Sequence, residues 1–267
     1  MTPASNLSRR DFLKLSAMSL CAACLSGCLR LATPAPADYW RANHQRFLDD
    51  FDALLNPVRD LLAELTNPTE AGNILAESRT AFEALLPQVP YLGGDDNALT
   101  ETLYLSGAAL AFYRVMLAHG QPLEETGRLI YRAMENLFNF DDPLAGALSG
   151  DPNDKAAQEE FRRMAKWSAT SPYPADWKLT FIPGEGEAFD FGVDYTACGI
   201  VKFFQSQNAA ELAPYLCLGD FPLSQALNTG LVRTTTLAHG GPRCDFRFKA
   251  GRAIQREWTP EFLKGAA

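Results

Sequence analysis

The groups best suited to chemistry are concentrated between residues 189 and 248, in the last quarter of the chain. Three of the six cysteines, Cys198, Cys217 and Cys244, lie in this stretch, and the other three fall within the first 28 residues. The same stretch holds acids, arginines and a histidine with which a thiol could cooperate, among them Asp194, Asp220, Asp245, Arg233, Arg247 and His239. This density predicts that the functional site forms here.

The three thiols allow several interpretations. Cys198 follows a predicted strand and lies at the start of a predicted helix, where free N–H groups and the helix dipole should lower its pKa and favour a nucleophile. Cys217 ends an apolar helix and Cys244 opens a strand. Together the three could ligate a metal such as zinc, although their spacing is not that of a zinc knuckle. A disulfide that leaves one thiol free, or buried thiols without a role, are further alternatives.

Two other side-chain types complete the candidate site. His239 lies in a loop beside two glycines, and its ordinary pKa suits a general base at neutral pH, although a plain turn residue is the alternative. Arg233 and Arg247 lie on predicted strands. An arginine in a cleft can bind a carboxylate through two parallel hydrogen bonds, which makes both arginines candidates for substrate binding.

The first half of the chain must form the helical scaffold behind this stretch. Apolar residues recur every three or four positions from Phe47 to Leu65, which predicts a helix that Pro57 kinks or splits. Further helices are predicted over Thr69–Leu86, Leu99–Ala118, Pro122–Phe138 and Asn153–Ser168. The small residues Gly107, Ala108 and Ala109 should let a neighbouring helix approach closely.

Beyond Pro172 the pattern changes to strands. Alternating or β-branched runs predict two hairpins, with strands over Trp177–Ile182, Ala188–Tyr195, Leu231–Ala238 and Cys244–Lys249. Two helices, from about Ala197 to Phe204 and from Ala209 to Leu216, separate the hairpins. The predicted fold class is therefore α+β, with an antiparallel sheet of about four strands packed by helices and preceded by a helical N-terminal region.

The N-terminus has the features of an export signal. The run SRRDFLK at residues 8–14 resembles a twin-arginine motif, and the apolar stretch that follows is too short for a comfortable transmembrane helix. Leu25-Ser26-Gly27-Cys28 resembles a lipobox, in which Cys28 carries the lipid (palmitate among its acyl chains). We therefore expect a lipid-anchored membrane protein on the periplasmic side of the cell envelope.

These patterns divide the chain into five predicted segments: a signal peptide (1–27), a Pro- and Ala-rich tether (28–38), a helical extension (39–97), an α+β domain (98–250) and a C-terminal tail (251–267). The formal net charge is −8. Because an acidic surface repels phosphate backbones, nucleic-acid binding is not expected.

Four sequence runs in this region resemble the L-2-amino-thiazoline-4-carboxylic acid hydrolase family. They are CGI after a strand, LAPYLCLGDFPL, GLVRTTTLAHGG and the CDFRF ending, within a resemblance that covers about residues 98 to 249. The positions that match the family pattern are Cys198, Asp220, Arg233, Gly240, Cys244, Asp245 and Arg247. The resemblance implies hydrolytic opening of a thiazoline ring to an N-carbamoyl cysteine.

The resemblance suggests a mechanism on a small cyclic amidine or amide that bears a carboxylate. Either Cys198 attacks the carbon between the heteroatoms, or Asp220 or His239 activates a water molecule to do so. Asp245 would orient the base or protonate the leaving group. As an enzyme, the protein would be a hydrolase of non-peptide C–N bonds in cyclic amidines.

Two functions of other classes remain open. The CDFRF ending and the spaced cysteines also resemble small-molecule-binding domains of the four-vinyl-reductase type, which favours a non-catalytic module for a small molecule or metal. The export signal is compatible with an accessory protein of an exported redox enzyme, which would then be its partner.

Overall fold

The computed structural model describes residues 36–138 and 155–264 of the chain. Its α-helices are α1 (Pro36–Ala42), α2 (His44–Leu55), α3 (Arg59–Leu65), α4 (Pro68–Leu85), α5 (Leu99–Ala118), α6 (Leu123–Phe138), α7 (Lys155–Thr170), α8 (Gly199–Ser206), α9 (Ala213–Cys217) and α10 (Asp220–Ala226). Its strands are β1 (Lys178–Pro183), β2 (Phe191–Ala197) and β3 (Cys244–Phe248). Helices thus fill the first half, and the sheet follows, which confirms the α+β class.

The sequence signals for helix boundaries operate as expected. Pro57 lies in a 3-10 turn that separates α2 from α3, because a proline inside a helix removes a hydrogen bond and clashes with the preceding turn. Asn67 caps α4 by accepting the N–H of Glu70 at 3.0 Å. The bounds of α5 coincide with the predicted helix.

Helix α5 forms the centre of the molecule and is apolar around most of its circumference. One cluster of buried side chains joins it to α1–α4, α6, α8 and α9, so residues of the predicted helical extension and of the predicted α+β domain share a core. Gly107 confirms the expected close approach. A methyl group there would lie 3.1 Å from Val89, with Phe82 and Phe203 also in contact.

The sheet is antiparallel in the order β1-β2-β3, with β2 in the middle. Tyr195 pairs with Cys244, and Val193 pairs with Phe246. Because side chains alternate along a strand, these four residues share one face of the sheet. Helix α7 covers one end of this face, and Tyr195 and Cys244 lie at the other end. Asp194 and Asp245 pair on the opposite face.

The predicted strand Leu231–Ala238 does not form, so the sheet has three strands and not about four. Val232 exchanges two backbone hydrogen bonds of 2.9 Å with Arg247, as in a hairpin. After that pair, the Asp245 carboxylate accepts the N–H groups of Thr234 and Thr235, both at 2.8 Å. A side chain thus replaces the partner strand as hydrogen-bond acceptor, and the ladder stops.

The predicted signal peptide, Cys28 and most of the tether lie outside the described residues. Between residues 36 and 138 and between 155 and 264, no helix is both long and apolar enough to cross a membrane.

The packing of α6 against α9 yields a stability test with a matched control. A Cβ atom at Gly127 in α6 would lie 2.0 Å from the Tyr215 ring, so Gly127→Ala should lower the free energy of unfolding by about 1–3 kcal/mol. At Gly72 in α4 the nearest atom lies 3.9 Å away. Gly72→Ala should therefore raise the free energy of unfolding by about 0.5–1 kcal/mol. Denaturant unfolding measures both, and equal effects of the two substitutions would contradict this packing.

Candidate functional site

A buried arginine, Arg233, is the centre of the candidate site. Its side chain is 1% exposed and lies between two carboxylates, Asp220 and Glu257. Nη1 donates to Asp220 Oδ2 at 2.6 Å, while Nε and Nη2 donate to the two oxygens of Glu257, each at 2.9 Å. Nη2 also donates to the backbone carbonyl of Cys217 at 2.9 Å. The guanidinium is thus held by a bidentate pair on one side and a single carboxylate oxygen on the other.

Two aromatic rings complete the surroundings of Arg233. The guanidinium carbon lies 4.8 Å from the ring centroid of Phe221 and 5.1 Å from that of Phe246. These distances are those of cation–π contacts, which contribute more when the cation is removed from water. Phe221 is in α10 and Phe246 is in β3. Arg233 therefore connects the helical layer to the sheet.

Asp220 is the acid of this cluster that a small molecule can reach. It is the first residue of α10, and its side chain is 39% exposed. Its neighbours Tyr195, Cys198 and Cys217 are also only partly buried, and the partly exposed surface that these four side chains share is called the recess below. Burial raises the pKa of Asp220, and the neighbouring Arg233 opposes that effect. The second oxygen, Oδ1, accepts no hydrogen bond from the described residues.

The three thiols lie near Asp220 and act on one another electrostatically. Cys198 precedes α8, Cys217 ends α9 and Cys244 opens β3. Burial raises the pKa of each thiol, to about 12 for Cys244 and well above the ordinary value for Cys217. Tyr195, opposite Cys244 in the sheet, belongs to the same group, and its pKa is raised by burial first and by Asp220 and two of the thiols next.

The prediction that the pKa of Cys198 is lowered is wrong. Cys198 does precede a helix, and the backbone N–H groups of Ile200 and Val201 favour its thiolate as predicted. Burial is the larger effect, so the pKa is raised overall and the thiol is protonated at neutral pH. A helix N-terminus stabilises a thiolate, but here it does not offset the loss of water.

Among the described residues, the three thiols form neither a disulfide nor a metal-binding cluster. Cys198, Cys217 and Cys244 are all free cysteines. Among the residues described, no group of three or more His, Cys, Asp or Glu side chains is arranged to hold a metal ion. The three thiols instead form part of the lining around Asp220.

His239 lies at the edge of this cluster, on a 3-10 turn whose preceding residue is Thr236. Its Nδ1 is 2.9 Å from the Thr236 hydroxyl oxygen and 3.9 Å from Glu257 Oε1, and its ring meets Trp258 edge-on. Burial lowers the pKa of His239, with Glu257 opposing and Arg233 reinforcing that effect. The imidazole is therefore neutral at pH 7, the form that accepts a proton.

Two predicted site residues lie on the opposite face of the sheet. Both oxygens of Asp245 are engaged by the Thr234 and Thr235 segment, where they fix the turn described above. Arg247 Nη1 donates to Asp194 at 2.8 Å and to the Phe246 carbonyl at 2.8 Å. The structure thus brings together Cys198, Cys217, Cys244, Asp220, Arg233 and His239, and it places Asp245 and Arg247 apart from them.

The sequence prediction missed Glu257, which lies in the predicted C-terminal tail, and Tyr195. Twenty-four positions separate Glu257 from Arg233, and no spacing rule connects them. The available signal is chemical, because a buried arginine flanked by apolar residues requires acids from elsewhere in the chain. A separate groove of about 330 Å³ between the start of α5 and α7 is lined by none of the candidate residues.

The charge balance around Arg233 predicts a large and pH-dependent effect on stability. Arg233→Met leaves Asp220 and Glu257 buried as uncompensated like charges, which should lower the free energy of unfolding by about 3–5 kcal/mol. Burial raises the pKa of Asp220, and without the arginine this effect is no longer opposed. The loss is therefore greatest at pH 8 and becomes smaller as acidification protonates Asp220.

Denaturant unfolding between pH 5 and pH 8 measures this effect. Arg243→Met is the control, because Arg243 pairs with Asp194 at the surface and its loss should cost less than about 1 kcal/mol. If Arg233→Met lowers the free energy of unfolding as little as Arg243→Met does, or by an amount that does not change with pH, then Arg233 does not stabilise the protein by compensating the charges of Asp220 and Glu257.

Comparison with known proteins places this site within a family. The model of the L-2-amino-thiazoline-4-carboxylic acid hydrolase family matches residues 101–248, which is more than half of the chain and includes every predicted site residue except Cys28. Neither the search of curated proteins nor the search of solved structures found a match. The match confirms the resemblance predicted from the sequence, and the chain belongs to the L-2-amino-thiazoline-4-carboxylic acid hydrolase family.

Proposed function

We propose that this protein opens the ring of a small cyclic amidine of the 2-amino-thiazoline carboxylate type by hydrolysis. The observation that carries the proposal is the free oxygen of Asp220, which faces a recess inside the family-matched region. Tyr195, Cys198 and Cys217 are half-buried beside it, as expected of side chains that line a cavity. A concave site with convergent polar groups and shifted pKa values is the usual form of an active site.

The charges of the cluster favour binding of the substrate through its amidine group. Arg233 carries one positive charge, Asp220 and Glu257 carry one negative charge each when ionised, and His239 is neutral, so the site is negative overall. Because Arg233 is already occupied by two acids, it is poorly placed to bind a substrate carboxylate. Asp220 Oδ1 can instead accept N–H groups from a cationic amidine, which its charge attracts.

The chemistry that fits these groups is attack by water. In our proposal Asp220 removes a proton from a water molecule whose oxygen bonds to the ring carbon between sulfur and nitrogen. The bond from that carbon to sulfur then breaks and the electron pair leaves with sulfur, which takes the proton held by Asp220 and becomes a thiol. The hydroxyl proton is released to solvent as the C=O bond forms, so the bond cleaved is C–S and not the C–N bond expected from the sequence. The carbon keeps the oxygen and both nitrogens as a carbamoyl group. A raised pKa makes Asp220 a stronger base than an ordinary aspartate.

The protonation of Cys198 supports water over the thiol as nucleophile. A nucleophilic cysteine reacts as its thiolate, and near neutral pH the buried Cys198 holds its proton. In this proposal Cys198 lines the recess and contributes little to the bond-forming step. His239 is a second neutral base at the edge of the recess.

Replacement of the proposed base provides the direct test. Asp220→Asn removes the proton acceptor while Arg233 keeps its bidentate pair with Glu257, so the fold should persist and kcat should fall at least about 100-fold. Ring opening of 2-amino-thiazoline-4-carboxylate releases one thiol per turnover, which a colorimetric thiol reagent detects. Asp60→Asn, at an exposed position in α3, is the control and should keep full activity.

Cys198→Ser separates the two nucleophiles. Under the water mechanism this variant should retain activity to within about tenfold of the unsubstituted protein, because serine preserves the shape of the recess. A loss of roughly 1,000-fold or more, with Asp220→Asn still active, would assign the attack to the thiol and overturn the role of Asp220.

We also propose that the protein is exported through its twin-arginine signal and anchored by a lipid on Cys28 at the periplasmic side of the envelope. The sequence of residues 8–28 supports this location. Cys28→Ala should abolish incorporation of labelled palmitate and move the protein from the membrane fraction to the soluble fraction. Cys24→Ala, four residues upstream, should leave both unchanged. Membrane association of the Cys28→Ala protein equal to that of the parent would contradict the anchor.

A further inference from the structure

The segment from Lys249 to Lys264 follows the family-matched residues and returns to the candidate site. Gln255 donates its N–H to the Leu231 carbonyl at 2.9 Å and accepts the N–H of Arg233 at 3.1 Å. Val232 and Gln255 form a parallel bridge, on the side of Val232 away from Arg247. The returning segment thus extends the backbone hydrogen bonding past Arg233 and fixes the residues that follow Gln255.

Apolar packing holds the rest of this segment in place. Trp258 meets the Tyr215 ring edge-on at 5.1 Å, and Phe262 contacts both Tyr131 and Tyr215. Glu261 donates its N–H to a carboxylate oxygen of Glu124 in α6 at 3.1 Å. These contacts on both sides of Glu257 give its side chain a fixed position.

Glu257 lies where it can act on two groups of the site at once. Its side chain is 5% exposed, and its two oxygens accept Nε and Nη2 of Arg233. Oε1, which accepts Nη2, also lies 3.9 Å from Nδ1 of His239. We propose that Glu257 is a positioning residue of the hydrolase, and that the segment beyond the family-matched region completes the site by holding Arg233 against Asp220 and His239 beside the recess. This inference rests on the proposed function.

The charge of Glu257 should set the proton affinity of both proposed bases. The charged groups that face His239 are Glu257, which raises its pKa, and Arg233, which lowers it. Asp220 is faced by Arg233, which lowers its pKa, and by Glu257, which raises it. The remaining titratable neighbours of Asp220 are Tyr195, Cys198, Cys217 and Cys244.

A purely structural role for Glu257 as counter-ion to Arg233 is the competing explanation. Such a role would change stability and would leave the plateau of kcat/KM in the folded protein unchanged. Glu257→Gln removes the charge and keeps the shape of the side chain, while Arg233 retains its pairing with Asp220. The direction of the pKa change follows from the positions of the groups. Because the negative charge of Glu257 favours the protonated forms of His239 and Asp220, its loss lowers the pKa of both.

The first experiment needs no substrate. The full chain contains three histidines, His44, His119 and His239, so histidine-selective labelling gives three resolvable NMR titrations. Glu257→Gln should lower the midpoint of His239 and leave those of His44 and His119 unchanged. Glu261→Gln is the matched control, because Glu261 is an exposed acid of the same segment whose carboxylate pairs with Lys264 at the surface. It should leave all three midpoints unchanged.

The second experiment uses turnover of 2-amino-thiazoline-4-carboxylate. Because Asp220 must be ionised to act as base, kcat/KM rises with pH through its pKa, and Glu257→Gln should shift this acid limb to lower pH. The plateau of kcat/KM should fall by about 100-fold, as expected when a catalytic group is displaced from its productive geometry. Glu257→Asp keeps the negative charge but shortens the side chain by one methylene, which withdraws the carboxylate from Arg233 and His239. In both experiments this variant should give values between those of the parent protein and of Glu257→Gln.

The outcomes separate this inference from the proposed function. A folded Glu257→Gln protein with an unchanged His239 midpoint overturns the positioning role, whatever its activity. If Glu257→Gln does not fold, the same measurements are made on Glu257→Asp. A His239 midpoint and an acid limb of kcat/KM that both equal those of the parent protein then overturn the proposal. A parent protein that does not open the ring overturns the proposed substrate, and a lowered His239 midpoint in Glu257→Gln then still supports the link from Glu257 to the site.

Discussion

The burial of one positive charge constrains much of this molecule. Moving a guanidinium from water into the interior is strongly unfavourable unless hydrogen bonds and opposite charges replace its hydration. Arg233 obtains these from three places: Asp220 at the start of α10, the carbonyl of Cys217 at the end of α9, and Glu257 in the C-terminal segment. The arginine therefore fixes the relative positions of segments that share no regular hydrogen-bonded element.

The helical half supports this arrangement through a chain of aromatic contacts. Tyr215 packs on the backbone of α6 at Gly127 and donates its hydroxyl hydrogen bond to Glu124. Trp258 packs on Tyr215, and His239 packs on Trp258. The helical layer thus reaches the edge of the site through three rings.

Burial also decides which of the candidate groups can act as bases. The three thiols and Asp220 share surroundings that disfavour charge, and the consequence differs between the two chemical types. A thiol whose pKa rises remains protonated at neutral pH and loses reactivity. A carboxylate whose pKa rises becomes a stronger base, and Arg233 beside Asp220 favours its ionised form. The same environment therefore favours Asp220 over Cys198 as the active group.

The sequence by itself determined the features that depend on neighbours along the chain. The bounds of α5, the break at Pro57, strands β1 and β2 and the concentration of reactive groups between residues 189 and 248 follow from periodicity, turn residues and composition. Tertiary structure decided the rest. The predicted strand after Leu231 is replaced by a turn because the Asp245 side chain takes up its N–H groups, and Glu257 reaches Arg233 from a segment predicted to be a tail. Local patterns specify periodic backbone structure, whereas the pairing of buried charges depends on which distant segments the folded core brings together.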